Sequence, residues 1–333
     1  MFMRILIADL FSKDAIAALE KAGHEIIYND KLAGDTLDQA ITQHQPTVLV
    51  VRSTKVPKNT IDLGSSLELI VRAGAGTDTI DVKHAATKGI YVANCPGKNA
   101  NAVSELAIGL IVGIDRRMSE QNELLKQGKW RKGDFVNQKG LKDRTVGIIG
   151  FGAIGSRVAK AAIAMEMHVL VNSRNQDQAL ADSIGFRYVS REELLQNSDI
   201  VSVHVPGGAE TKEMINKDFL AKMKPDGVLL NTSRGSVVND ADILAHLNDN
   251  PNFWYGTDVF NGEPSGKEAE WKCDLSVHER VYGTHHCGAS TKQAEAAIGE
   301  EALRVILKFA ATRSVDAENT VNRAKKDSSL LHM

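Results

Sequence analysis

Cysteine is scarce in this chain, three residues in 333, and no two of them form a C-x-x-C pair. Cys95, Cys273 and Cys287 offer neither a disulfide framework nor a zinc site, and read as reduced thiols of a cytoplasmic protein. An excess of charge is missing too. Lys and Arg total 40 against 42 Asp and Glu, a net charge of -2, which removes any electrostatic case for a nucleic-acid or membrane partner. No apolar run approaches the roughly 20 residues that cross a bilayer. No solenoid-type repeat recurs, and there is no low-complexity tract. The apolar opening "MFMRILIADLF" is interrupted by Asp9 and followed by helical spacing, so it reads as a first buried strand and not a leader. What is present is 43% hydrophobic content, enough for two ordinary domains at this length.

The first ~95 residues alternate strand and helix patterns. "RILIAD", "HEIIYN", "TVLVVRS", "LELIVRAG" and "IYVANCPG" read as strands. "SKDAIAALEKAG" reads as a helix with Ser12 as N-cap and Gly23 as its stop, and "DTLDQAITQH" as another. This βαβ logic implies a parallel sheet covered on both faces. The turn "NCPGKN" marks a domain boundary. A single long helical pattern follows, "NAVSELAIGLIVGIDRRMSEQNELLKQGKW", and then a second alternation begins at "TVGIIG". The last helix, "STKQAEAAIGEEALRVILKFAATR", can return to the first domain. After it "NRAKKDSS" reads as a solvated tail.

The stretch "VGIIGFGAIGSRVAK" sets Gly150, Gly152 and Gly155 between a buried strand and a helix. The first glycine permits a tight turn, the second a close approach to a pyrophosphate, the third close packing of helix on strand. The free N–H groups and dipole of the helix start then face the phosphates. Such a site normally carries an acid ~20 residues on, to accept from the adenosine ribose. Here "VLVNSRN" places Ser173 and Arg174 at that strand end. An acid would repel a ribose 2′-phosphate, whereas Ser173 can donate to one and Arg174 can pair with it. The dinucleotide is therefore NAD(P), with NADP favoured by these two residues; a solvated arginine is the plain alternative.

In open α/β sheets ligands sit beyond the carboxyl ends of strands. Polar residues gather there in "VVRSTK", "RAGAGTD", "SVHVPG", "NTSRGS", "TDVFNGEP" and "GTHHCGAS". Arg234 is a natural clamp for a carboxylate. Glu263 and His286 can form a carboxylate–imidazole pair that fixes a tautomer and tunes a base. Hydride transfer from an alcohol needs such parts, although spacing alone does not bring them together.

Taken in order, "VRAGAGTDTIDVKHAATKGIYVANCPG", "VGIIGFGAIG", "SVHVPGGAETKEMIN", "FLAKMKPDGVLLNTSRGSVVN", "GTDVFNGEP" and "HHCGASTKQAE" resemble the D-isomer-specific 2-hydroxyacid dehydrogenase family over nearly the whole chain. The resemblance implies two doubly wound parallel-sheet domains of α/β class. A Rossmann cofactor domain, residues 99–288, is inserted into a flavodoxin-like substrate domain, residues 1–98 plus 289–333. The two domains would close on substrate and nicotinamide about hinges at "NCPG" and "HCGAS". It implies a catalytic set of Arg234, Glu263 and His286. His285 stands where the family has proline, and on an extended chain it would point away from its neighbour. Further cofactor contacts are implied at Ala153, Ile154, Val205, Pro206, Thr232, Ser233, Asp258 and Gly288. The backbone of Gly74, Ala75 and Gly76 resembles a carboxylate-binding turn.

Within the family, "VVRSTKV" looks like the strand end of members that take the phosphate of 3-phosphoglycerate, the first step of the phosphorylated serine pathway. Here that assigns Arg52, Ser53 and Lys55. The nearest members of this kind use NAD, whereas Ser173-Arg174 looks more like NADPH-dependent glyoxylate or hydroxypyruvate reductases. Corepressors that use the fold to bind dinucleotide and peptides are a third reading. The resemblance also suggests a homodimer through the cofactor domain, with Arg131 or Lys132 reaching the neighbouring subunit. The chain would have no room for a C-terminal regulatory domain. No metal is expected. Cys287, beside His286, is expected to be a small buried hydrophobe.

Overall fold

The computed structural model describes residues 2–264 and 268–322. The polar tail from Arg323 onward lies outside them. The elements run β1 (Arg4–Ile7), α1 (Lys13–Lys21), β2 (Glu25–Tyr28), α2 (Asp35–His44), β3 (Val48–Val51), α3 (Lys58–Leu63), β4 (Leu69–Arg72), α4 (Val82–Thr87), β5 (Tyr91–Asn94), α5 (Ala100–Asp115), α6 (Met118–Lys126) and β6 (Thr145–Ile149). They continue α7 (Gly155–Ala164), β7 (His168–Asn172), α8 (Gln178–Ile184), β8 (Arg187–Tyr188), α9 (Arg191–Asn197), β9 (Ile200–Val203), α10 (Lys217–Leu220), β10 (Val228–Asn231), α11 (Asp240–Asp249), β11 (Trp254–Thr257), β12 (Val281–Gly283) and α12 (Lys292–Thr312). The chain divides into two units. One takes in the chain up to Asn99 and from Ser290 onward, the other Ala100–Ala289.

The first unit is a five-stranded sheet in the order β2-β1-β3-β4-β5, every strand pair parallel. This is the flavodoxin-like order. Alternation along each strand supplies both faces. Ile5, Ile7, Val48, Val50, Leu69 and Val71 pack under α1 and α12, with Leu19, Val305, Ile306 and Phe309. Leu6, Leu49, Val51, Ile70 and Val92 pack with Leu37, Ile41 and Ile61 of α2 and α3. Ser12 caps α1 by accepting from the Ala15 N–H at 3.3 Å.

The second unit is a seven-stranded sheet in the order β12-β11-β10-β9-β6-β7-β8, again all parallel. It is a Rossmann sheet with one added edge strand. The strand order reverses between β6 and β9, which is where such sheets take ligands. One face buries Val146, Ile148, Val169 and Val171 under α5, α7 and α8. The other buries Val201, Val203 and Leu229 under α9, α10 and α11.

The single long helix expected after Asn99 is two. α5 ends at Asp115, and Arg117 adopts a left-handed φ of 49° before α6 starts. No glycine or proline marks this break. It is anchored by distant partners: Asp115 accepts from Arg144 at 2.8 Å and from the Gly140 N–H at 3.2 Å, and Arg117 lies 4.9 Å from the Phe135 ring centroid. Among the described residues no helix is long and apolar enough to cross a membrane.

Candidate active site

The glycine-rich turn joins β6 to α7. Gly150 has φ +93°, and a Cβ there would sit 2.6 Å from the His204 carbonyl oxygen. A Cβ on Gly155 would fall 2.2 Å from the Gly150 oxygen, so the helix lies directly on the strand end. Gly152 differs: among the described residues nothing lies within 4 Å of the position its Cβ would take. The backbone there faces open space. Among the described residues no acceptor takes the N–H groups of Gly152, Ala153 or Ile154, which leaves donors at the positive end of α7. A cavity of about 610 Å³ opens at this point, lined by Gly150, Gly152, Ser173, Arg174, Val205 and Pro206 together with Asn175, Arg191 and Glu210. Thr232 Oγ1 is buried without a partner among the described residues, as is His204 Nδ1. Desolvation of the His204 ring lowers its pKa to about 4, so it is neutral near pH 7. Open glycine, free N–H groups and an orphaned hydroxyl fit a dinucleotide.

Not every residue assigned to the cofactor has a free side chain. Ser233 donates its hydroxyl to Asn231 Oδ1 at 2.7 Å. Asp258 accepts from the Thr284 hydroxyl at 2.6 Å, from the Cys287 N–H at 2.9 Å and from the Gly288 N–H at 2.8 Å. Asp258 is thus a clamp on the loop after β12. A Cβ on Gly288 would approach its Oδ2 to 2.8 Å, so that position must stay small. Arg174 is not free at the ribose end. Its Nη1 lies 3.2 Å from Glu210 Oε2, with both side chains largely exposed. Glu210 lies on the loop after β9, 36 residues along the chain from Arg174. No spacing rule on the sequence links the two positions.

Arg234, Glu263 and His286 stand on the loops that follow β10, β11 and β12, three adjacent strands of one sheet. Parallel strands deliver such loops to one edge. His286 Nδ1 meets Glu263 Oε1. The other oxygen of Glu263 accepts from the Phe260 N–H at 2.9 Å. Burial alone would raise the Glu263 carboxyl. The His286 hydrogen bond, the Phe260 N–H and the charges of His286 and Arg234 outweigh it and hold the group below its ordinary value. A carboxylate so held stays ionised, orients the imidazole and stabilises its protonated form. Arg234 also donates to the Ser233 carbonyl at 2.7 Å, which steadies the guanidinium.

Two expectations at this loop need correction. The chain is not extended at His286; φ is 50°, in the left-handed region. The Asp258 clamp on Thr284, Cys287 and Gly288 bends it, so strand alternation cannot say where His285 points. Cys287 is exposed, not buried, because only its N–H is drawn inward, to Asp258.

In the other unit, Arg52, Ser53 and Lys55 lie on the loop after β3. Asp9, at the end of β1, holds this loop. It accepts from the N–H groups of Arg52, Ser53 and Thr54 at 2.6, 3.1 and 3.0 Å, and from the Ser53 hydroxyl at 3.2 Å. Arg52 Nη1 lies 3.1 Å from Glu295 Oε1 on α12. Neither acid was a candidate from the sequence, since each acts across a fold contact. At the turn after β4, Gly74 has φ +145°, and no acceptor among the described residues takes the N–H of Ala75 or Gly76. Arg131 sits 3.5 Å from Asp134 on the surface, and Lys132 opens a short 3-10 turn there.

The profile of the D-isomer specific 2-hydroxyacid dehydrogenase, NAD binding domain, matches residues 108–288. The chain is 36% identical over 306 residues to a hydroxypyruvate reductase of Thermotoga maritima, covering 92% of this chain and 97% of that one. It is 32% identical over 321 residues to a D-3-phosphoglycerate dehydrogenase of Archaeoglobus fulgidus, covering 96% of this chain but 59% of that one. Among solved structures it is similar to the NAD+-bound 3-phosphoglycerate dehydrogenase of Entamoeba histolytica. The TM-score is 0.80 at 27% identity, over 97% of this chain and all of that one.

Proposed function

The chain belongs to the D-isomer-specific 2-hydroxyacid dehydrogenase family, and from that premise we propose that it interconverts 3-phosphoglycerate and 3-phosphohydroxypyruvate with a nicotinamide dinucleotide. The contact of His286 with Glu263, beside the charge of Arg234, carries the chemical part of this reading. Bound nicotinamide supplies the hydride acceptor or donor. The other tasks fall to the chain's own residues. Arg234 and the N–H groups at Ala75 and Gly76 hold the substrate carboxylate. His286 takes the proton of the 2-hydroxyl during oxidation and returns it during reduction. Glu263 fixes the His286 tautomer and stabilises the imidazolium. Arg52, Ser53 and Lys55 receive the phosphate.

For the cofactor, Gly150, Gly152, Ala153, Ile154, Gly155, Val205, Pro206 and Thr232 form the cradle, with Ser173 and Arg174 at the ribose. Asp258, Ser233 and Gly288 act by shaping its walls. The working form is a homodimer through the Ala100–Ala289 unit, with Arg131 or Lys132 offered to the partner.

One observation favours a second reading, a reductase of unphosphorylated hydroxypyruvate. Arg52 already has Glu295 as counter-ion, and the Ser53 hydroxyl already has Asp9. Steady-state kinetics separate the two. 3-Phosphoglycerate is tested in oxidation, and 3-phosphohydroxypyruvate and hydroxypyruvate in reduction, each with both dinucleotides. The phosphorylated pair should lead in kcat/KM, and Arg52→Gln should abolish that lead. Equal rates on hydroxypyruvate, untouched by Arg52→Gln, would select the second reading. His286→Ala should lower kcat about 10³-fold with dinucleotide binding kept. Robust turnover on any of these substrates would make the dinucleotide-binding corepressor reading unnecessary.

A further inference from the structure

The ribose end of the cavity carries an arrangement that a simple NADP site does not need. Ser173 contributes a half-buried hydroxyl and no charge. Arg174 is engaged by Glu210 at 3.2 Å, with side-chain exposures of 82% and 84%. Arg191, the first residue of α9, lines the same cavity. No acceptor among the described residues engages its guanidinium. The rim therefore holds two cations and one anion.

The loop bearing Glu210 is fixed in its main chain and loose in its side chain. Thr211 donates its hydroxyl to the Pro206 carbonyl at 2.7 Å, and the Lys212 N–H reaches the Gly208 carbonyl at 2.9 Å. The Glu210 carboxylate itself has only Arg174 as partner among the described residues. An ion pair this exposed is weak and exchanges readily with solvent.

We propose that Glu210 is a movable counter-ion that lets one ribose pocket take both dinucleotides. With Glu210 in place, Arg174 is neutralised, only one positive charge is left over at the rim, and the carboxylate is the acceptor for ribose hydroxyls that position 173 lacks. With Glu210 turned out to water, Arg174 and Arg191 together receive a 2′-phosphate. A phosphate dianion with two guanidinium partners displaces a single carboxylate because it offers more charge and more acceptor oxygens. This rests on the cofactor reading above, and deepens it: Glu210 and Arg191 set cofactor preference, whereas Ser173 only permits the choice.

The test is equilibrium binding, independent of turnover. NADH and NADPH are titrated by fluorescence, and AMP and adenosine 2′,5′-bisphosphate by calorimetry, against wild type, Glu210→Gln and Arg191→Gln. Wild type should bind both dinucleotides. Glu210→Gln should tighten NADPH and the bisphosphate by up to about five-fold and not NADH. Arg191→Gln should weaken the same two ligands by about ten-fold and leave NADH and AMP unchanged. NADPH binding should also fall more steeply with salt than NADH binding. Both substitutions are on exposed side chains, and an unchanged melting temperature checks that the fold is kept. If both dinucleotides bind and Glu210→Gln leaves their ratio unmoved, the counter-ion role is refuted while the cofactor reading stands. If wild type binds neither, the cofactor reading itself fails, and the counter-ion with it.

Discussion

Arg52 has a counter-ion before any substrate arrives. Its guanidinium lies on Glu295, and its own N–H, with those of Ser53 and Thr54, points at Asp9. A phosphate reaching this loop must compete with Glu295, because the Asp9 carboxylate is committed to the loop and cannot leave without unpairing three backbone N–H groups and the Ser53 hydroxyl. Glu295 is the replaceable one: its side chain is 42% exposed. Glu295→Gln should therefore raise kcat/KM for the phosphorylated substrate several-fold, about the worth of one half-exposed ion pair, and leave hydroxypyruvate rates unchanged. A ratio that does not move would show that Arg52 does not touch the phosphate.

Among the elements, α12 does the most to complete the first unit, and one of its acids makes this pH-dependent. Glu301 is buried on α12. It accepts from Arg304 at 2.8 Å and from Asn319 at 2.8 Å, and pairs with Lys98 at 3.2 Å. Asn319 in turn donates to the Asn94 carbonyl at the end of β5, so the segment after α12 is tied back to the sheet. The Arg304 hydrogen bond leads in bringing the Glu301 carboxyl from 4.5 down to about 2. A pKa lowered on folding means that the stabilisation is present above ~4.5 and is lost as pH falls toward 2. Arg304 is about two-fifths exposed, so the contribution is discounted to on the order of 2 kcal/mol. Glu301→Gln should cost about that much at pH 7 and flatten the decline between pH 5 and 3. Urea unfolding at several pH values reads both effects. Equal slopes in the two proteins would remove Glu301 as the cause.

On the scale of the whole molecule, the two units differ in how the chain closes them. The Ala100–Ala289 unit is one continuous segment with a hydrophobic core on each face of its own sheet. The other is discontinuous. Ile298, Ala302, Val305, Ile306 and Phe309 of α12 belong to the core over β1, β3 and β4. Their burial contributes roughly 10 kcal/mol, comparable with the whole stability of a domain. A fragment ending at Ala289 should leave the sheet of Arg4–Asn94 unprotected in amide exchange. A fragment spanning 100–289 should melt cooperatively and still bind NADH. Loss of the fold in the second fragment would refute the independent stability of the Ala100–Ala289 unit.

The sequence by itself determined most strands and helices, the glycine-rich turn, the three loop residues Arg234, Glu263 and His286, and the family. Those features are local: periodicity, capping and short motifs act within one or two elements, and a parallel sheet then brings successive strand ends to one edge. Only the tertiary structure decided which charges meet. Glu295 reaches Arg52 from 243 residues away, and Glu210 reaches Arg174 across the mouth of the cavity. The break at Arg117, the left-handed turn at His286 and the exposure of Cys287 belong to the same class. Each is imposed by a partner distant in sequence, Arg144 and Phe135 in the first case and Asp258 in the others. An ion pair or a clamp of that kind depends on where loops are delivered in space, and no pattern of neighbouring residues encodes it.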